Sequence, residues 1–229
     1  MRRISPYLKR LWATDISLTS LLVSLLAYVF FLYPLGLVGS FMPLPTLFFS
    51  LVLITGAIAV SRHRIFRGLV FSWGLLAFIL VWVRYWFPYQ SLIFVAYGLA
   101  LFFLVLLTSL VLGQTLRAGP TTYHRITGAV AAYLLLGLIW SMAYYLIALW
   151  IPKAFSVQGA LAVGDKESLQ SQLFYFSFVT LTSLGYGDIV AVHPMARMLV
   201  ILEVVTGQLF PAILIARLVS LHVQSKQKT

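Results

Sequence analysis

Long apolar stretches alternate along the chain with short interruptions made of proline, glycine and basic residues. A helix needs about 20 apolar residues to cross the hydrocarbon core of a membrane. Six stretches approach that length, at about 16–33, 45–61, 68–87, 90–113, 126–151 and 195–221. The pattern therefore predicts an all-α membrane protein with six transmembrane helices.

A seventh stretch, residues 168–187, is apolar enough to be taken for a further span. Basic residues concentrate on the inner side of membrane proteins, so their distribution tests this reading. If 168–187 re-enters the membrane without crossing it, 12 of the 16 basic residues lie inside, and the outer four are Arg84, Lys153, Lys166 and Arg197. A crossing segment would move three C-terminal basic residues outside. We therefore predict six spans plus one re-entrant segment, with both termini in the cytoplasm.

Composition agrees with a membrane protein. Hydrophobic residues make up 62% of the chain and charged residues only 9%, against about 25% charged residues in soluble domains. The net charge of +11 would suggest nucleic acid as a partner for a soluble protein. Here the basic residues flank apolar stretches and act as topology signals, so we expect membrane lipid and no nucleic acid as a partner. The absence of cysteine excludes disulfides and thiolate metal sites.

The re-entrant segment has two parts. Ser168 is a candidate N-cap, and the residues from 168 to 182 suit a short helix. Gly185-Tyr186-Gly187 then ends any helix, since glycine permits positive φ and close approach of neighbouring chains. Non-helical backbone at membrane depth is tolerated only inside protein or beside water. The pattern predicts a half-helix followed by a strand that presents backbone carbonyls to an ion.

The string Thr-Leu-Thr-Ser-Leu-Gly-Tyr-Gly-Asp at 180–188 resembles the T-x-T-T-V-G-Y-G-D signature of the potassium channel pore family. Six of the eight specified positions match; Ser183 replaces threonine and Leu184 replaces valine. The resemblance covers about 126–222, as outer helix, pore helix, filter and inner helix. It implies a homotetrameric pore in which K+ is the transported ion and no cofactor is needed.

The resemblance also assigns roles to individual residues. It implies that filter carbonyls, with the Ser183 hydroxyl, replace the hydration shell of K+; the ion-binding filter residues are Ser183, Leu184, Gly185, Tyr186 and Gly187. The side chains of Leu184 and Tyr186 should point away from the ion and brace the strand. Residues expected to support the filter are Thr182, Asp188, Tyr175 and Glu203. Tyr175 stands where the family commonly has tryptophan, and whether it supplies a bracing hydrogen bond stays open.

The last apolar stretch carries three further candidates. Gly207 lies at the spacing of the family's inner-helix gating glycine, and Pro211 removes a helix hydrogen bond one turn later. They predict a gating hinge; the alternative is a close-packing glycine with a harmless kink. Glu203 is an acid well inside a span, where ionisable residues usually face the bundle interior or water. We favour a role in which Glu203 accepts hydrogen bonds from pore-helix hydroxyls, such as those of Thr180 or Thr182, over a position facing the ion cavity.

Voltage sensing requires several basic residues at regular spacing in one helix, and residues 85–116 contain no charged residue. We therefore expect weak or no intrinsic voltage gating. The chain divides into a cytoplasmic N-terminal segment (1–15), a four-helix transmembrane domain without sensor arginines (16–113), a cytoplasmic linker (114–125), a pore domain (126–222, with pore helix 168–182, filter 183–187 and inner helix 195–221) and a cytoplasmic tail (223–229).

The sequence thus predicts a potassium-selective channel in a plasma (inner) membrane. Ser183 and Leu184 leave a weakly selective monovalent cation channel as one alternative. A subunit of a potassium uptake transporter is a second alternative. An enzyme is disfavoured because the chain contains neither an H-E-x-x-H nor a G-x-S-x-G motif.

Overall fold

The computed structural model describes residues 18–32, 44–59, 64–87, 89–116, 123–157 and 166–226. Within these ranges the chain is mostly helical, as the apolar stretches predict. The predicted N-terminal segment 1–15 and residues 117–122, half of the predicted linker 114–125, lie outside the described residues.

The described helices follow the order of the predicted stretches. Helix α1 covers Leu18–Phe31 and ends in a π-helical turn at Tyr28–Leu32; it is followed by α2 (Leu44–Ala59), α3 (Arg64–Trp86), α4 (Gln90–Thr115), α5 (Tyr123–Trp150), α6 (Lys166–Leu181) and α7 (Pro194–Lys226). The largest differences from prediction are the start of α3 at Arg64 instead of 68 and the end of α7 at Lys226 instead of 221. Arginine and lysine are good helix formers, so both helices continue beyond the apolar part.

Three helices within the described residues are long and apolar enough to cross a membrane: Gln90–Thr115, Arg125–Trp150 and Pro194–Arg217. Two others have shorter apolar parts, Leu18–Phe31 and Phe71–Leu80. The chain is therefore a multi-pass membrane protein, and the count of six spans stays a prediction.

Neighbouring helices α4 and α5 run antiparallel. Tyr97 near the start of α4 lies against Tyr145 near the end of α5, with ring centroids 4.8 Å apart. At the other end, a Cβ on Gly128 would lie 2.6 Å from the Thr115 hydroxyl. Glycine at 128 thus lets the two helices approach closely where α4 ends and α5 begins.

The N-terminal helices share one hydrophobic core with the residues predicted to form the pore domain. The ring of Tyr28 on α1 meets Phe174 on α6 edge-on at 5.7 Å. From α4, the Tyr97 hydroxyl donates a hydrogen bond of 2.6 Å to the Gln170 side chain on α6. Helix α6 is therefore held by the N-terminal helices as well as by α5.

Two short strands, which the sequence pattern did not predict, join the ends of the re-entrant segment. Strand β1 (Phe155–Val157) pairs antiparallel with β2 (Ile189–Ala191), with Phe155 opposite Ala191 and Val157 opposite Ile189. Each strand has only three residues, too few to show an alternating pattern. Arg197 on α7 donates from Nε to the Ala191 carbonyl at 3.1 Å, so it ties the end of β2 to α7.

Candidate ion-conduction site

The site begins where α6 ends. Helix α6 starts at Lys166, so Ser168 lies in its first turn and is not the N-cap that the sequence suggested. At the other end, Ser183 N donates to the Thr180 carbonyl and Leu184 N donates to the Val179 carbonyl, both at 2.9 Å. This pair of hydrogen bonds is the Schellman arrangement, which requires a left-handed residue after the helix. Ser183 occupies that position with φ of 58°.

Beyond the cap, the sign of φ alternates along the chain. Ser183, Gly185 and Gly187 have φ of 58°, 57° and 80°, whereas Leu184 and Tyr186 have negative values. Alternating right- and left-handed residues turn successive peptide groups the same way, which lines up their amides on one side of the chain. The backbone therefore permits the carbonyls to face a common side. The sequence predicted positive φ at the two glycines and missed it at Ser183.

The side chains of this segment have different environments. The Thr182 hydroxyl donates 2.8 Å to the Phe178 carbonyl, one turn back on α6. Asp188 accepts a 3.1 Å hydrogen bond from the Ile189 amide, next to β2. Leu184 and Tyr186 are 58% and 67% exposed, so within one chain they do not brace the strand as predicted. The predicted supporting residue Tyr175 lies half-buried on α6.

Glu203 on α7 is fully buried. Its carboxylate accepts hydrogen bonds from the Tyr144 hydroxyl on α5 and from the Ser177 hydroxyl on α6 at 2.6 Å. Ser177 Oγ also lies 2.8 Å from the Gly137 carbonyl on α5. One acid thus joins three helices.

Glu203 does hydrogen-bond to a hydroxyl of the predicted pore helix, but the hydroxyl belongs to Ser177 and not to Thr180 or Thr182, the two examples named from the sequence. Ser177 takes their place because it lies one turn earlier on α6, on the face that α7 crosses beside Gly137 of α5. We name Glu203, Tyr144 and Ser177 the carboxylate cluster.

Helix α7 runs unbroken through Gly207 and Pro211. A Cβ on Gly207 would collide with the backbone carbonyl oxygen of Leu181, the last residue of α6. The Tyr133 hydroxyl donates to the same carbonyl at 3.3 Å. In this conformation Gly207 is a close-packing glycine, and a hinge at Gly207 and Pro211 stays a prediction.

Several residues at the site were not predicted from sequence: Tyr144, Ser177, Gly137 and Gln208. Buried tyrosine usually finds a partner for its hydroxyl, so Tyr144 and Glu203 could have been matched as two polar groups in apolar helices. Gln208 was detectable as a polar residue beside Gly207. Its amide donates a 2.6 Å hydrogen bond to the hydroxyl of Ser183.

The part of the chain that contains this site is similar to known ion channels. Residues 132–224 match the model of a protein family described as "Ion channel", and this range includes α6, the filter segment and all but the last two residues of α7. Over 65 residues the chain is 43% identical to the two-pore potassium channel 4 of Arabidopsis thaliana. The resemblance to the potassium channel family is confirmed.

The match to the ion channel family lies in the C-terminal part of the chain. The matched range of 132–224 lies close to the predicted pore domain of 126–222. The aligned residues amount to 28% of this chain and 22% of the Arabidopsis protein, so the chain spans less than a quarter of the length of that relative. No solved structure matches the chain significantly. The matched family is one of ion channels, which are not enzymes.

Proposed function

We propose that the chain is one subunit of a homotetrameric channel that passes K+ passively through a filter of backbone carbonyls. The observation that carries the proposal is the alternating sign of φ at Ser183, Gly185 and Gly187 within a string that resembles the family signature. Carbonyls turned to one side can replace the hydration shell of K+. One chain contributes one such strand, so a closed ring of ligands requires four.

The surrounding elements fit this role. Helix α6 ends at Leu181, and its C-terminal partial negative charge favours a cation below the filter. Asp188 follows the last filter glycine at the proposed outer mouth. Neighbouring subunits would cover Leu184 and Tyr186, which are exposed in the single chain, and the two side chains would then brace the strand as predicted.

We further propose six spans per subunit in a plasma (inner) membrane, with both termini cytoplasmic and with weak voltage gating. Support for the topology comes from the antiparallel packing of α4 and α5 and from the excess of basic residues on the proposed inner side. Helix α4 contains no charged residue, so the membrane potential has little charge to move in it, at about 2.3 kcal/mol per charge per 100 mV.

A second candidate is a weakly selective monovalent cation channel of the same architecture. Ser183 and Leu184 favour it, since serine lacks the stiff χ1 of threonine and leucine alters the packing behind the strand. Such a channel would share the filter backbone but hold its innermost ligands less firmly.

The experiment is ion flux through purified protein in liposomes, with K+ and Na+ compared under bi-ionic conditions. Gly185→Ala should abolish flux, because alanine at φ of 57° strains the strand. Gly98→Ala on α4 is the matched control and should conduct normally, because the added Cβ has no described atom within 4 Å apart from its chain neighbours and the adjacent backbone of its own helix. K+ selectivity retained in Gly185→Ala would contradict the filter assignment. Equal K+ and Na+ permeability in the unmodified protein would favour the weakly selective channel, and low saturating turnover would indicate a transporter.

A further inference from the structure

Gln208 is a polar side chain on an apolar helix, and its position follows from the residue before it. Gly207 brings α7 against the Leu181 carbonyl at the end of α6. The next side chain is thereby placed beside the first residue of the filter segment. The Gln208 Nε2 atom lies 2.6 Å from Ser183 Oγ and donates a hydrogen bond to it.

This contact falls on the residue at which the filter string departs from threonine. The β-branched threonine has a stiff χ1, so its methyl group fixes the direction of its hydroxyl. Serine has three staggered χ1 wells and no methyl group to choose among them. A second group is needed if the hydroxyl at 183 is to keep one direction.

We propose that Gln208 is a positioning residue that fixes the rotamer of Ser183, and so sets the geometry of the innermost ion site of the filter. The inference rests on the proposed function. A hydroxyl oxygen has two lone pairs, so one can accept the Gln208 amide while the other coordinates the ion. The hydrogen bond therefore orients the Ser183 hydroxyl and leaves one lone pair of its oxygen free to coordinate K+.

The size of the effect follows from the rotamer count. Without the amide, the Ser183 hydroxyl would divide its time among three wells, and the competent orientation would fall to about one third in each subunit. Gln208→Met keeps the length and flexibility of the side chain and removes the donor. We expect it to lower unitary K+ conductance at least about threefold and to reduce the K+ to Na+ permeability ratio.

The decisive test combines Gln208→Met with changes at Ser183. In a Ser183→Thr background the stiff χ1 replaces the amide, so adding Gln208→Met should change conductance and permeability ratio little. In a Ser183→Ala background the hydroxyl is absent, and Gln208→Met should have no further effect. Gln208→Asn, which keeps the amide but is one methylene too short to make the contact, should behave like Gln208→Met.

Controls separate positioning from stability and from the proposed function. Gln114→Met makes the same exchange on α4 and should leave conductance unchanged, and thermal melting of the assembled protein should be similar for all variants. If Gln208→Met has equal effects in the serine, threonine and alanine backgrounds, the positioning role of Gln208 is wrong. The proposed function would still stand in that case if the unmodified protein is a K+-selective channel. An unmodified protein that passes no K+ would overturn both.

Discussion

Helices α5 and α7 have nearly the same hydrophobicity and very different surroundings. Both are long and apolar enough to cross a membrane, yet half of the most apolar part of α5 is buried and only 11% of that of α7. Helix α5 packs against α4 and α6 of its own chain. Hydrophobicity thus indicates that both helices lie in the membrane, whereas burial shows that the described chain covers α5 far more completely than α7.

The contacts that α7 does make within the chain are concentrated at a few positions. Ala196, Glu203 and Gly207 are buried, and the last two face α5 and the end of α6. Large apolar side chains cover much of the remaining surface: Met195, Met198, Ile201, Leu202, Val205, Leu209, Ile213, Ile215, Val219 and Val223. In the proposed tetramer, other subunits and lipid share this surface.

Cross-linking between subunits tests directly whether the exposed surface of α7 lies against another subunit. The expected result is a covalent dimer for one variant and none for the other. The chain has no cysteine, so a single introduced thiol reports on its own position. Val205→Cys, about 200° around the helix from Glu203, should give covalent dimers with a short bis-maleimide. Phe102→Cys, similarly exposed on α4, should remain monomeric on a denaturing gel. Equal yields of cross-linked dimer from both variants would contradict the proposal that α7, and not α4, faces another subunit.

At the carboxylate cluster α7 is buried against its own chain, as α5 is along much of its length. Removing the carboxylate of Glu203 should have the next largest effect on stability. Glu203→Ala would leave the buried Tyr144 hydroxyl without its acceptor, at a cost of about 1–3 kcal/mol per unsatisfied group. Glu203→Gln retains an acceptor and should melt close to the unmodified protein. The measurement is thermal melting of the assembled protein beside single-channel conductance. Equal conductance losses in both variants with unchanged melting would instead place Glu203 in the ion cavity.

The packing of α5 on α6 should be sensitive to a single methyl group. A Cβ on Gly137 would lie 2.6 Å from the Phe178 ring, so Gly137→Ala should lower the free energy of unfolding by about 1–2 kcal/mol. Gly98→Ala on α4 meets open space and should raise it by up to about 1 kcal/mol through helix propensity. Denaturant unfolding in detergent measures whether the free energy of unfolding falls in Gly137→Ala and rises in Gly98→Ala. A stabilising Gly137→Ala would show that the contact between α5 and Phe178 can accommodate a methyl group.

The smallest expected effect concerns the contact between α4 and α6. Tyr97→Phe removes the hydroxyl that donates to Gln170 and keeps the ring that packs on Tyr145. We expect a loss of about 1 kcal/mol in stability and no change in ion selectivity. Altered selectivity would mean that the N-terminal helices act on the filter through α6.

Sequence was most informative where the pattern is local. The apolar stretches predicted the helices to within a few residues, since the length and hydrophobicity of a stretch depend only on local sequence. The two glycines of the filter segment predicted positive φ, as a residue without Cβ adopts it at no steric cost. Ser183 was missed because its conformation follows from the Schellman hydrogen bonds at the end of α6, which depend on where that helix stops.

Contacts between distant parts of the chain were less predictable. Glu203 was expected to bond to the pore helix, but the choice of Ser177 over Thr180 or Thr182 depends on how α7 crosses α6. The pairing of Phe155–Val157 with Ile189–Ala191 and the reach of Gln208 to Ser183 likewise depend on the packed arrangement of helices. No periodicity in a single sequence encodes such crossings.

The pairing of β1 with β2 has a consequence for how this fold can be modified. Phe155 and Ala191 face each other across the ladder, so the chain enters and leaves the intervening segment at adjacent points, with Cα atoms about 5 Å apart. A graft of residues 155–191 between the outer and inner helices of another protein would therefore require helices that end one strand spacing apart, together with neighbours that replace the contacts of α6 with α1, α4 and α5.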